Sequence, residues 1–223
     1  MKNKSPSHSF LIGLLIALAF AVSSSPARAD STYWTGAVSN NWLTEPSASP
    51  APGSPGNWTN GVPNSCTDAF INNGGKAEID SSSPVLARAR SLTLGEGAPG
   101  GGAPQAGTLV IDGTNSGALL LGFGSCEVPF DDGVIYVGKE GTGTLDIIDG
   151  GELVGRDGYI AKEEGSNGTV TVTGPTPAFD VPNWRVIGRL FIGASPSSNS
   201  GGTAILNVTG FVKIGMTILT RRE

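Results

Sequence analysis

The chain offers few residues that could do chemistry. Its single histidine is His8, which precedes an apolar run of thirteen residues, Phe10 to Val22, and an Ala-x-Ala arrangement at Ala27 and Ala29. With Lys2 and Lys4 in front, this is the pattern of an export signal cleaved between Ala29 and Asp30. Thirteen residues make a helix of about 20 Å, short of the ~30 Å hydrocarbon core. The mature chain then has no histidine. That excludes Ser-His-Asp and Cys-His catalysis and histidine-ligated metal. The two cysteines, Cys66 and Cys126, are too few for a four-ligand zinc site. In an exported chain they are a candidate disulfide.

The nearest carboxylate groupings are Asp131-Asp132, Asp146 with Asp149, and Glu163-Glu164. Glycosidases hold two carboxylates at a fixed separation across the sugar. Adjacent residues of a strand point to opposite sides, and Asp149 belongs to an Asp-Gly turn. Each grouping therefore reads as solvated surface, and no catalytic residue is assigned.

The stretch "VGKEGTGTLDIIDGGELVG" (137–155) is the other chemical candidate. A phosphate loop needs G-x-x-x-x-G-K-[ST] ahead of a helix. Here Lys139 comes too early, and a strand pattern follows Gly143. Calcium-binding nonapeptides need tandem G-G-x-G-x-D units, which Gly141, Gly143 and Asp146 do not supply. No cofactor or metal is expected. Asn57, Asn167 and Asn207 head N-x-T triplets and read as strand and turn residues.

The elements that would position any site are short. Glycine supplies 34 of 223 residues, and apolar runs of four to seven residues alternate with Gly, Asn, Ser, Asp and Pro clusters. This is an all-β pattern. Four segments share one grammar of strand, polar loop, Gly-Thr and second strand: 92–113, 135–150, 158–174 and 190–210. Their Gly-Thr pairs begin at Gly107, Gly143, Gly168 and Gly202, spaced 36, 25 and 34 residues apart. The spacing predicts rungs of a parallel β-solenoid, with Gly107, Gly138, Gly143, Gly168, Gly193 and Gly202 at corners that need unusual backbone angles. Leu145 and Ile147 should face inward against Thr144 and Asp146, and Val170 and Val172 against Thr169 and Thr171. A β-sandwich of similar hairpins is the alternative. Segment 31–74 differs, with Trp34, Trp42 and Trp58 in a Pro- and Ser-rich context. It reads as a cap over the first rung, with a sugar-binding aromatic platform as the competing reading.

The order of residues here resembles the start of autotransporter (type V secretion) passenger domains, and of exported proteins with a related glycine-centred repeat and an exosortase-sorting signal. Trp34 and Gly36, then Asn57 and Trp58, Gly61 and Pro63, and Asp68, Ala69 and Ile71 carry the likeness. It implies a right-handed parallel β-helix in a Gram-negative envelope. It also implies a C-terminal translocator barrel, for which the chain has no matching stretch, so the chain reads as a truncated member, a fragment or a stand-alone secreted solenoid.

The expected organisation is a signal peptide at 1–29, a cap and first rungs at 30–83, and β-helix repeats at 84–223. Removing Lys2, Lys4 and Arg28 from 14 basic residues leaves 11 against 19 acidic ones, a mature charge of −8. That argues against nucleic acid as a partner. The expected function is a non-enzymatic surface or secreted protein serving adhesion, display or matrix contact with a host glycan or protein. The alternative is a carbohydrate-active enzyme or sugar-binding module. No transmembrane helix is expected in the mature chain, which would reach the periplasm, cell surface or exterior.

Overall fold

Strands of three to seven residues are too short to be stable alone, so the chain must pair them with partners distant in sequence. It does so with a fixed rhythm. The computed structural model describes residues 30–43, 56–80, 86–97, 103, 105–114, 118–123, 133–174, 183–193, 201–215 and 217–220. The leader with Ala29, Cys126 and the pair Asp131-Asp132 lie outside them.

Strand β1 (Ser31–Tyr33) comes first. Rung one is β2 (Asp68–Ile71), β3 (Lys76–Ile79) and β4 (Ala87–Ala89). Rung two is β5 (Ser91–Leu94), β6 (Ala106–Asp112) and β7 (Ala118–Leu121). Rung three is β8 (Val134–Val137), β9 (Thr142–Ile148) and β10 (Glu152–Gly155). Rung four is β11 (Asp157–Ile160), β12 (Asn167–Val172) and β13 (Trp184–Val186). Rung five is β14 (Arg189–Ile192), β15 (Thr203–Val208) and β16 (Val212–Ile214), and β17 (Thr217–Thr220) follows.

From β2 onward each strand pairs with the strand three places on, so the chain visits three sheets in rotation. Sheet 1 runs β1-β2-β5-β8-β11-β14-β17, sheet 2 runs β3-β6-β9-β12-β15, and sheet 3 runs β4-β7-β10-β13-β16. Every pairing of named strands is parallel. A sandwich of hairpins requires antiparallel neighbours and is therefore excluded. Among the described residues there is no helix. The stretch 87–94, whose apolar spacing fits period two, forms β4 and β5 with Arg90 between them.

Alternation sorts the side chains. On sheet 2, Ala77, Leu109, Leu145 and Val170 stack in register, beside Ile79, Ile111, Ile147 and Val172. All eight are buried in one continuous apolar core. Thr144 and Asp146 lie on the opposite face and are partly exposed, as expected.

The core trades volume between sheets within a rung. Trp184 on sheet 3 is wholly buried, and sheet 1 of the same rung answers with Gly158, where a methyl group would sit 3.3 Å from the Trp184 ring and 2.9 Å from Leu190. Close packing of this kind leaves no room for a larger residue at position 158.

Two expectations about the repeat need correction. The segments taken as whole units are two strands of a three-strand rung; the third, on sheet 3, is only three or four residues long and breaks the grammar. The glycines also fall into two kinds. Gly138 and Gly193 end strands of sheet 1 with φ of 74° and 62°, the left-handed angles expected at a corner. Gly107, Gly143 and Gly168 instead stack in register inside extended strands of sheet 2. They are required by close approach, since an added Cβ on Gly107 would lie 1.7 Å from the Ile71 carbonyl oxygen. Gly202 is not their equivalent. Ala204 pairs with Gly168, and Gly202 lies one step outside the strand, against Ser166.

The N-terminal segment lies along rung one. β1 pairs with β2, and Asn41 bridges Glu78 of β3. Trp34, Trp42 and Trp58 are buried, with ring centroids 5.1 and 4.6 Å apart in edge-on pairs. The Trp58 indole donates to the Trp42 carbonyl at 3.0 Å. Buried rings cannot serve as a sugar platform, so that reading of the tryptophans is withdrawn. Pro63 is also buried. Asn57 fastens the segment: its side chain accepts from the Val38 and Ser39 amides at 3.0 Å each, and donates to the Ser39 hydroxyl and the Asn41 carbonyl.

Candidate functional site

In-register parallel pairing places like positions of successive rungs one above another. The third residue of each sheet 1 strand from β1 to β14 points outward, and these residues are Tyr33, Phe70, Thr93, Tyr136, Tyr159 and Phe191. Five of the six are aromatic. Tyr33 stacks on Phe70 at 4.9 Å, Tyr136 on Tyr159 at 5.0 Å and Tyr159 on Phe191 at 4.7 Å. These spacings are close to the separation of neighbouring strands. Strand pairing thus builds a ladder of rings, and Thr93 interrupts it.

Cations flank the ladder at both ends of its strands, with Lys139 and Lys162 beyond the ends of β8 and β11 and Arg189 at the start of β14. The Lys139 and Lys162 ammonium groups lie 5.7 and 5.4 Å from the Tyr136 ring centre, and Arg189 lies 5.5 Å from that of Phe191. Such contacts favour holding a cation over a ring face. Each cation is also ion-paired: Lys139 with Glu96, Lys162 with Glu163 at 2.9 Å, and Arg189 with Asp157 at 3.1 Å. Burial pulls the Lys162 ammonium down, but its hydrogen bond and ion pair with Glu163, with the two tyrosines nearby, carry it above its ordinary value. The Tyr159 hydroxyl is pushed up, first by burial and then by Tyr136 and Asp157. Tyr159 and Phe191 are buried; Tyr33, Phe70 and Tyr136 are partly open.

The open part of the ladder carries a cleft of about 500 Å³. Thr93 lies between its aromatic walls, Phe70 and Tyr136, with Tyr33 beyond. Asp68 and Ser91 close one side, and Glu96, Gly97, Lys139 and Glu140 the other. Asp68, expected only as part of the N-terminal motif, anchors this wall. It accepts from the Arg90 guanidinium in a two-point ion pair and from the Ser91 hydroxyl at 2.5 Å. The cleft combines ring faces with fixed hydroxyl and charged groups, the composition of a small-ligand site.

The other residues singled out from sequence do not converge here. Asp146 lies on the outer face of sheet 2, and Asp149 adopts a left-handed turn conformation with φ of 50°. Glu163 is tied to Lys162, and Glu164 is exposed. Among the described residues no group of His, Cys, Asp and Glu is placed to hold a metal ion. Cys66 is disulfide-bonded and exposed. Among the described residues no helix is long and apolar enough to cross a membrane. The ladder was missed at the sequence level, although aligning "LTLG", "IYVG", "GYIA" and "LFIG" by their strands puts Thr, Tyr, Tyr and Phe in one column. Comparison with protein-family models, curated proteins and solved structures found no match.

Proposed function

We propose that this chain is an exported, non-enzymatic β-helix protein of autotransporter-passenger type, serving adhesion or surface display. The observation that carries this reading is the rotation of the chain through three parallel sheets, which leaves one long outer face lined by aromatic rings. The same rotation supports a closed, right-handed coil, the hand that crossovers between parallel strands of one sheet take. The reading of the Trp-rich N-terminal segment as a cap is supported by β1 and Asn41, which give backbone partners to β2 and β3 and so protect an edge that would otherwise recruit other chains. The export pattern at residues 1–29 supports a location outside the inner membrane of a Gram-negative cell.

The test is expression of the full chain in a Gram-negative host, followed by fractionation and N-terminal sequencing. A new N-terminus at Asp30 in the envelope or medium, with attachment of the purified mature chain to matrix-coated surfaces, is the expected result. Retention of Met1 in the cytoplasm would overturn the reading. A carbohydrate-active enzyme is the second reading, favoured by the aromatic and acidic lining of the cleft. Release of reducing ends from polysaccharides by the mature chain would establish it instead.

A further inference from the structure

The geometry points to the cleft at Thr93 as the binding site for a single six-membered ring of a neutral glycan. This inference rests on the reading of the chain as an adhesive surface and names what that surface would hold. The argument begins with the ladder. Stacked rings stand 4.7 to 5.0 Å apart on adjacent strands. Phe70 and Tyr136 are separated by the intervening strand of Thr93. Two strand spacings of about 4.8 Å put their rings roughly 10 Å apart. A flat guest can therefore stand above Thr93 and meet a ring face on either side at the pitch of the ladder. The cleft volume of about 500 Å³ suits one or two sugar rings.

The polar groups decide what kind of ring. Thr93, almost wholly buried, floors the gap between the rings; Asp68 and Ser91, already bonded to each other and to Arg90, close one end, and the Glu96 and Glu140 carboxylates stand at the other. A benzene ring seated there offers the carboxylate oxygens of Glu96 and Glu140 no hydrogen-bond donor. A pyranose packs its C–H faces on Phe70 and Tyr136 and turns its hydroxyl groups toward those oxygens. Charge argues for a neutral sugar. Lys139 is neutralised by Glu96, and Asp68 by Arg90. Glu140, exposed on the rim, leaves the site negative and disfavours uronate or sialylated glycans.

The test is calorimetric titration of the mature, disulfide-bonded chain with maltohexaose, cellohexaose and chitohexaose, with oligogalacturonate as the anionic control. Saturable binding of at least one neutral oligosaccharide is expected, with oligogalacturonate at least tenfold weaker. Thr93→Tyr should fill the ladder and abolish binding while the thermal midpoint holds or rises. Tyr136→Ala should weaken binding roughly tenfold through loss of one stacking face. Should Thr93→Tyr not fold, Phe70→Ala carries the test by removing the other stacking face, and unchanged affinity in that variant overturns the inference. Failure of all three neutral oligosaccharides to bind overturns the inference, as does full binding by Thr93→Tyr and Tyr136→Ala, or preferential binding of oligogalacturonate or of an aromatic peptide. Glycan binding by a chain that keeps its leader in the cytoplasm would sink the proposed function alone. Export with attachment to protein-coated surfaces, and no sugar binding, would sink the glycan site alone.

Discussion

Gly143 tests whether space or backbone angle sets the glycine content of this chain. It lies in extended β9, on the line of Gly107 and Gly168. A Cβ there would sit 2.1 Å from the Gly138 nitrogen, 2.7 Å from the Val137 carbonyl carbon and 2.8 Å from the Leu94 oxygen. All three are backbone atoms at the corners of two successive rungs, so no side-chain rotation relieves the clash. Gly143→Ala must spread sheet 1 from sheet 2 and should cost about 3 kcal/mol or more, the upper end of overpacking effects. Gly150→Ala is the control. Gly150 has φ of 88°, yet nothing lies within 4 Å of where its Cβ would be. The control should cost only backbone strain, about 1 kcal/mol. With a urea slope of roughly 2 kcal/mol/M, the two midpoints should fall by about 1.5 M and 0.5 M. Equal shifts, or a larger one for Gly150→Ala, would refute the close-approach argument and return the sheet 2 glycines to a conformational role.

Other perturbations follow from the same geometry. Asn57→Ala deletes four hydrogen bonds from a wholly buried side chain and should cost about 3 kcal/mol in the same urea assay; it should also expose Trp42 and Trp58, read as quenchable tryptophan fluorescence. Raising the pH should destabilise the fold. Tyr159, whose folded value is raised, contributes its stability fully below its ordinary value near 10 and loses it as pH climbs through the raised one, and Lys162 acts in the same direction. Tyr159→Phe keeps the ring stack, so its urea midpoint should fall less than the native chain's across that window, and ultraviolet titration should lose the phenolate step raised above the ordinary value.

The sequence made the strand periodicity of sheet 2 plain, because seven-residue strands such as β6 and β9 show several alternations each. Sheet 3 was hidden. "ARA", "WRV" and "VKI" are too short to show a period, and what makes them strands is pairing with the neighbouring rung. The fourth Gly-Thr was misaligned by two residues for a related reason: matching letters found Gly202-Thr203, whereas the backbone ladder aligns Ala204 with Gly168. The tryptophans could be picked out from sequence, but only burial distinguishes a packed cluster from an exposed platform. The cleft needed the register of sheet 1, since its defining feature is a threonine in a column of rings.

Each rung is hydrogen-bonded only to the rung before and the rung after it, and the chain passes through them in order. Pulling the two ends apart would therefore load the backbone ladder as a zipper, peeling strands in succession. With the Cys66 disulfide reduced, a force-extension trace should show a sawtooth of unequal teeth. Sheet 1 strands begin at residues 68, 91, 134, 157, 189 and 217. At about 3.5 Å per extended residue, the rung starting at Ser91 would release roughly 15 nm and its shortest neighbours roughly 8 nm. The irregular loops would then act as a reserve of length, letting a tethered chain yield one rung at a time under load.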